Sequence, residues 1–548
     1  MKKKLLFTAF LTALFAVVNA QSNFGVDYFS IGEYQKAKQY FESNVSKTPA
    51  ESNYYLGEIA FAEGKMDEAK SYFDKGVAAD PLYTLNQVGQ GKLILKTDAK
   101  AAESLFAAAL KKNKKSPVLN VTIARAYWEC GLNDGAQLKL VIAKKYGKKS
   151  PLVYTLEGDM LKAENKMGEA AAKYEQALNF DTSFVVASIK CAQIYESINP
   201  NLSLEILKKV LASHPDYTIA YKGLGRTYML NGQYLSAIEG FKAYVADGGI
   251  LNVDDYIKFA SCYYFTDQFE LSNEEVNSAI KLDSTNFVLN RFRVWNAAKL
   301  DDAVNGLKYA DYFFTLKSEI GFIPNDYMAY ASILALNGLF DDALKIYDKL
   351  METDSERPEI YKELFGVYQK MGDNVKASDT YKKFMDLTGA DYVSSMDYFK
   401  LARSYYSAGV KLKADTTSVD NLVKAKEYLL KADSTFAIVC KMTPESYTGF
   451  IWRGHTNSSI EKVVTEGLAK PYYETAIEMI NAKLAEKPGN GYNTDLIRAY
   501  TYLGLHYLYL DDDVNSAKYW NKVLELDPTN KNAKMVLDEQ AAKKAAKK

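Results

Sequence analysis

A small residue recurs along this chain at a nearly constant interval, and that interval restricts the fold more than composition does. The series Ala37, Ala69, Ala102, Ala136, Ala170, Ser203, Ala237, Ser272, Gly306, Ala343 and Ala377 advances in steps of 32, 33, 34, 34, 33, 34, 35, 34, 37 and 34 residues. Four residues past each of these anchors, one helical turn later, stand Phe41, Phe73, Phe106, Leu140, Tyr174, Leu207, Phe241, Val276, Ala310, Tyr347 and Tyr381, most of them large and apolar. Chance does not hold such a register. A unit of this length repeated so often is one supersecondary element that buries its apolar face only against its neighbours.

The unit itself is clearest in YKGLGRTYMLNGQYLSAIEGFKAYV, from Tyr221 to Val245, and in NYYLGEIAFAEGKMDEAKSYFDKGVAADP, from Asn53 to Pro81. In both, a glycine (Gly225, Gly57) precedes the anchor by twelve residues. The plan resembles the tetratricopeptide repeat (TPR) family, whose pattern sets Leu-Gly and a ring on a first helix and Ala-x3-aromatic on a second. The resemblance implies an all-α helix-turn-helix solenoid, a right-handed superhelix of about fourteen helix pairs. Gly57 and Ala69 are expected to allow close helix contact, Phe73 to cover the next first helix, and Pro81 to end the second helix. The 42 tyrosines and 26 phenylalanines are therefore packing residues first.

The register loosens after Ala377, with anchors at Ala425, Ala469 and Ser516. The extra residues are assigned to insertions at KLKADTTSVDN (Lys411 to Asn421), TNSSIEKVVTEG and KPGNGYNTD. The expected organisation is a signal peptide at 1–20, a regular array at 21–389, a modified section at 390–529, and a capping helix with a lysine-rich tail at 530–548. Gly504, Tyr507, Ser516, Trp520 and Pro528 restore the family spacing in the last copy.

Lys2, Lys3 and Lys4, the apolar run Leu5 to Val18, and Asn19-Ala20-Gln21 have the form of a cleaved secretory leader. Its apolar run is shorter than the roughly 20 residues that span a bilayer. No cysteine is near the junction to take a lipid. The reading is export to the periplasm, without direct membrane insertion, and association with an outer membrane only through a partner. Basic and acidic residues balance at 68 each, and the single basic cluster, Lys543, Lys544, Lys547 and Lys548, reads as a solvated helix end, so nucleic acid is not the expected partner. Cys130, Cys191, Cys262 and Cys440 are too few and too dispersed for a disulfide framework and read as small buried hydrophobes, one bridge between neighbouring repeats remaining open.

Chemistry is sparse. The three histidines, His214, His455 and His506, never reach metal-ligand spacing, and there is no H-E-x-x-H or C-x-x-C. Gly89-Gln90-Gly91 and Gly223-Leu224-Gly225 do not complete a phosphate loop. The acidic pairs Asp301-Asp302, Asp341-Asp342 and Asp511-Asp513 fall before second helices, where they favour the positive helix end; calcium at Asp511 to Asp513 is the alternative. No enzyme, cofactor or metal site is expected. The function expected is a scaffold that binds protein partners of the cell envelope; the rival is a helical-repeat glycan-binding protein or glycan-processing enzyme.

In the family resembled, the inner surface comes from first-helix positions 18, 15, 11 and 8 residues before the anchor. These give Glu51, Tyr54, Glu58 and Phe61; Val118, Val121, Arg125 and Trp128; Ile219, Lys222, Arg226 and Met229. Tyr54, Glu58, Phe61, Arg125, Trp128, Lys222, Arg226 and Met229 are the candidate partner-binding residues, with the two arginines holding carboxylates and Trp128 and Met229 anchoring apolar side chains. The family's lysine-asparagine carboxylate clamp is not reproduced, since Arg226 follows Lys222 where asparagine would stand.

Overall fold

A computed structural model describes residues 24–415 and 417–546; the expected leader at 1–20 lies outside them, as do Lys547 and Lys548. Among the described residues there is no strand, and twenty-nine α-helices follow one another as fourteen pairs and a last helix. They are α1 Phe24–Ser30, α2 Tyr34–Asn44, α3 Pro49–Ala62, α4 Met66–Ala79, α5 Leu85–Ile94, α6 Ala99–Leu110, α7 Pro117–Glu129, α8 Asn133–Tyr146, α9 Pro151–Ala163, α10 Met167–Phe180, α11 Val185–Ile198, α12 Pro200–Ser213, α13 Ile219–Leu230, α14 Tyr234–Ala246, α15 Val253–Tyr264 and α16 Phe269–Ile280. There follow α17 Phe287–Lys299, α18 Ala303–Phe313, α19 Pro324–Leu336, α20 Phe340–Thr353, α21 Pro358–Met371, α22 Asn374–Thr388, α23 Ser395–Ala414, α24 Val419–Met442, α25 Thr448–Ile460, α26 Lys470–Glu486, α27 Asn493–Tyr509, α28 Asp513–Leu526 and α29 Lys531–Ala546. The chain forms two compact units that meet in sequence between Asn296 and Ala297.

Why these residues make pairs is visible at the turns. Five residues before an anchor the backbone is left-handed: at Gly32, Gly64, Gly131, Gly232, Gly338 and Gly372, and at Asn165, Asp267, Asp301 and Asp511. Glycine adopts that conformation without strain and asparagine or aspartate tolerate it, so these types end the first helix and reverse the chain. Asp302 and Asp512 then cap the second helices, accepting hydrogen bonds from the Asn305 and Asn515 amides. Proline in the first turn starts α3, α7, α9, α19 and α21, where its missing N–H would be unsatisfied anyway.

Packing refines one expectation. The anchors Ala37, Ala69, Ala102, Ala136, Ala170, Ser203, Ala237, Ser272, Ala343 and Ala377 have no exposed surface at all. The nearest neighbour of Gly57 is a ring: a Cβ at Gly57 would lie 2.5 Å from Phe73, and one at Gly89 in the next first helix 2.3 Å from the same ring. Gly158 and Tyr174, Gly225 and Phe241, and Gly504 and Trp520 repeat the arrangement. Each ring locks its own pair and the next. At Gly240 two helices touch backbone to backbone, since its Cβ would stand 2.7 Å from the Gly225 nitrogen.

In the first unit, first helices of successive pairs also contact one another, α3 with α5, α5 with α7, α7 with α9, α11 with α13 and α13 with α15. The unit then closes on itself. Tyr28, Ala37 and Phe41 of the first pair share one apolar cluster with Tyr217, Ala237, Phe241 and Tyr244, about two hundred positions along the chain. Phe24 and Tyr28 lie 6.0 and 6.1 Å, ring to ring, from Tyr217.

In the second unit the insertions take two forms. The stretch Lys411 to Asn421 is mostly absorbed into helix, as α23 runs to Ala414 and α24 begins at Val419, which lengthens that pair to 20 and 24 residues. The segment after α25 instead forms a loop with a 3-10 turn, Val464–Glu466, held where the His506 Nδ1 meets the Val464 carbonyl at 2.8 Å and the Leu468 amide donates to Glu461. The terminal helix α29 covers the last pair with Ala533 and Val536.

Candidate partner-binding surface

First helices supply most of the wall of a cavity of about 730 Å³ in the first unit. Glu58, Phe61, Arg125 and Trp128 line it, four of the eight residues singled out by register. Phe29, Ile31 and Tyr34, from the turn of the first pair, close its remaining side. Tyr54 is not on this surface: it is 4% exposed and packs on Tyr55, Phe73 and Tyr83 in the core. Val121 and Ile219 are buried as well, while Val118 is exposed. Lys222, Arg226 and Met229 lie on α13, away from the cavity. The eight residues are thus not one continuous patch.

Among the described residues the charges of the wall are paired, Lys162 excepted. Lys92 Nζ lies 2.7 Å from Glu58 and 2.5 Å from Glu129; Arg125 reaches Asp159 at 3.0 Å, and Lys190 meets the other Asp159 oxygen at 2.5 Å. Tyr174 donates a further hydrogen bond to Asp159. Glu58, Lys92, Asp159 and Lys190 are buried in low-dielectric surroundings, so each needs its partner. Burial pushes the Glu58 carboxyl above its ordinary range, against the pull of Lys92. Asp159 is held below its range in spite of burial, because Lys190 and Arg125 stand beside it. Burial lowers Lys190, and Asp159 opposes the shift. Phe61 adds its ring face, 3.9 Å from the Lys92 ammonium.

A second network crosses the closure. Arg226 bonds Glu196 at 3.1 Å and Asp255 at 3.3 Å, and Lys222 bridges Asp255 at 3.3 Å and Glu33 at 2.5 Å. Tyr244 donates to Glu33, and Lys36 reaches Thr218 and Asp247. The carboxylates that Arg125, Arg226 and Lys222 hold are therefore the chain's own. This changes what the arginines do in the absence of a partner: they satisfy buried acids of neighbouring pairs.

Lys92, Glu129, Asp159, Lys190, Glu196 and Asp255 escape the sequence reading. A signal for one of them is present, since Asp159 stands eleven residues before Ala170, the inner position that Glu58, Arg125 and Arg226 occupy in their own copies. Of the copies with a charge at that position, Arg125 and Asp159 are consecutive and pair with each other, while Gly91 and Ala192 stand there in the copies after Glu58 and Asp159.

Elsewhere, polar residues with chemical potential are in structural use. All four cysteines are free thiols and buried. His455 is buried, its Nδ1 2.8 Å from the Tyr473 hydroxyl, and His506 lies on the separate helix α27. Among the described residues no group of three His, Cys, Asp or Glu side chains could hold a metal ion, and no helix is long and apolar enough to cross a membrane.

The fold and this surface define an all-α helix-pair repeat protein whose inner wall is built from first helices. The model of the tetratricopeptide repeat family matches residues 23–83, and the same anchor register and pair geometry continue beyond them. Among solved structures it is similar to the C-terminal part of a TPR repeat-containing protein from Cytophaga hutchinsonii, at 23% identity over 51% of this chain and 99% of that one, with a TM-score of 0.42. It is similar also to PilW, a widely conserved type IV pilus biogenesis factor, at 22% identity over 38% of this chain and 96% of that one, TM-score 0.32. A third is a tetratricopeptide repeat protein from Parabacteroides merdae, at 14% identity over 46% and 97%, TM-score 0.30. No curated protein matches the sequence.

Proposed function

We propose that this chain is a non-enzymatic scaffold that holds segments of partner proteins against its first helices, and that it is exported to the periplasm to serve a cell-envelope assembly. The observation that carries the reading is the cavity of the first unit, where Phe61 and Trp128 are half-buried beside Glu58, Arg125, Glu129, Asp159 and Lys190, all of them already in ion pairs. Half-buried aromatics are enriched in binding hot spots, and buried charges that are already paired admit an apolar side chain without being stranded. Export rests on the basic residues and apolar run of the leader.

The test is photo-crosslinking in cells, with a benzophenone amino acid in place of Trp128 and, as control, of exposed Lys100 on α6. A defined partner captured from the Trp128 position alone supports the reading. Equal capture from both, or a glycan ligand on an array that Trp128→Ala removes, replaces it. N-terminal sequencing of periplasmic material should begin at Gln21.

A further inference from the structure

The inner wall of the second unit differs from that of the first. Between α21 and α23 lies a cavity of about 450 Å³ whose lining includes Lys362, Lys400 and Arg403. Among the described residues no carboxylate comes within ion-pair distance of any of the three. Arg403 rests instead on the Trp452 ring at 5.2 Å, and Lys362 stands 5.7 Å from the Phe384 ring. The acid on this wall, Glu363, is engaged by Lys299 at 3.4 Å.

Two further observations point into the cavity. Ser404 is 5% exposed, lines the cavity, and its hydroxyl has no hydrogen-bond partner, an unfavourable state that a bound acceptor would relieve. Gly366 stands eleven residues before Ala377, the position filled by Glu58, Arg125, Asp159 and Arg226 in the first unit. A Cβ there would meet nothing within 4 Å. Where those four copies place a charged side chain, this copy leaves space beside three cations and an unused hydroxyl.

We infer that this cavity binds the side-chain carboxylates of an internal acidic segment in a partner protein. The inference rests on the scaffold reading and specifies a second site for it. Arg403, stacked on Trp452, keeps the edge of its guanidinium for a bidentate carboxylate contact. Lys362 and Lys400 supply flexible charges at the rim, and the Ser404 hydroxyl donates to a carboxylate oxygen that enters the space beside Gly366. A single acidic side chain would fit there, with its neighbours spread over the lysines.

Isothermal titration of the full chain with a blocked hexapeptide of alternating glutamate and aspartate tests this, against the same peptide in glutamine and asparagine. Binding of the acidic peptide alone is expected, weakening as salt rises above about 50 mM. Arg403→Gln should weaken it at least about fivefold and Gly366→Glu, which installs an internal carboxylate for the same cations, at least about tenfold. Lys100→Gln, at an exposed position in the other unit, should leave it unchanged. Circular dichroism melts of the variants confirm folding; Gly366→Glu should melt no lower than the parent. Equal affinity in the parent and Gly366→Glu overturns the inference, as does absence of any binding by the folded protein. A preference for an unblocked neutral peptide, or equal competition by inorganic phosphate, overturns it in favour of a chain-terminal carboxylate or a small anion. Crosslinked partner at Trp128 without acidic-peptide binding would leave the scaffold reading standing and remove this site.

Discussion

Gly240 and Gly366 are both helical glycines, and they should respond oppositely to the same added methyl. At Gly240 the new Cβ would stand 2.7–2.9 Å from backbone atoms of Gly225 and Tyr221, which cannot rotate away. At Gly366 it would enter open space. Alanine exceeds glycine in helix propensity by about 1 kcal/mol. Gly366→Ala should therefore raise stability by about 0.5–1 kcal/mol. Gly240→Ala should lose about 1–3 kcal/mol to overpacking, and Ala237→Leu, at a position with no exposed surface, a similar amount. Denaturant midpoints of the three variants check the register directly. His455 offers a second residue-scale test. Burial, with Arg498 adding to it, lowers this imidazole from 6.5 to about 3. The folded chain then binds fewer protons than the unfolded one below pH 6.5, so the stability involved is complete above that value and lost as pH falls toward 3. On the order of 3 kcal/mol should disappear between pH 6.5 and about 4. His455→Gln, which keeps a partner for Tyr473, should flatten that part of the profile; an unchanged slope would mean that the ring is not buried as described.

At the scale of helices, much of the pairing is legible because it depends on local rules. A small anchor, a ring one turn later and a left-handed glycine, asparagine or aspartate five residues before the anchor are all functions of sequence spacing. The third is the least conspicuous of these, because Asn165 and Asp267 fill the place that Gly64 holds in its own copy. What spacing cannot convey is which charge meets which. Glu58 and Lys92 are 34 residues apart, and so are Arg125 and Asp159, so each pair forms only after two helix pairs stack. Spacing alone therefore leaves the inner-surface residues free to bind a partner, and the structure assigns several of them to each other. This has a measurable consequence. Lys92→Ala leaves the buried Glu58 without its cation, and Glu129 with Arg125 alone, and should cost about 3–5 kcal/mol. Glu58→Gln with Lys92→Met removes both charges of the buried pair and should recover a large part of the loss, as replacement of buried ion pairs by neutral groups often does. A double mutant no more stable than Lys92→Ala would show that Glu129 alone sets the cost.

For the molecule as a whole, the closure of the first unit departs from how a repeat array ordinarily behaves. An open solenoid is close to one-dimensional, and a change in one repeat is felt by its neighbours and fades beyond them. Here Glu33 and Lys36 bond Lys222, Thr218 and Asp247 across sequence separations of 182 to 211 residues, and Phe24 and Tyr28 pack on Tyr217. The first pair and α13–α14 should therefore open together. Glu33→Lys sets two cations against each other in a half-buried site and strands Lys222 with Asp255 alone, while the intervening pairs α5 to α8 keep every contact they had. Hydrogen exchange should then accelerate in two separated stretches, roughly residues 24–48 and 214–250, with the segment 99–146 unchanged. Lys222→Glu combined with Glu33→Lys restores opposite charges across the closure, but it also sets a second carboxylate beside Asp255, so recovery should be partial in both stretches. Opening confined to residues 24–48 would mean that the first pair is held only by its immediate neighbour, and the ring would have to be redrawn as an open array.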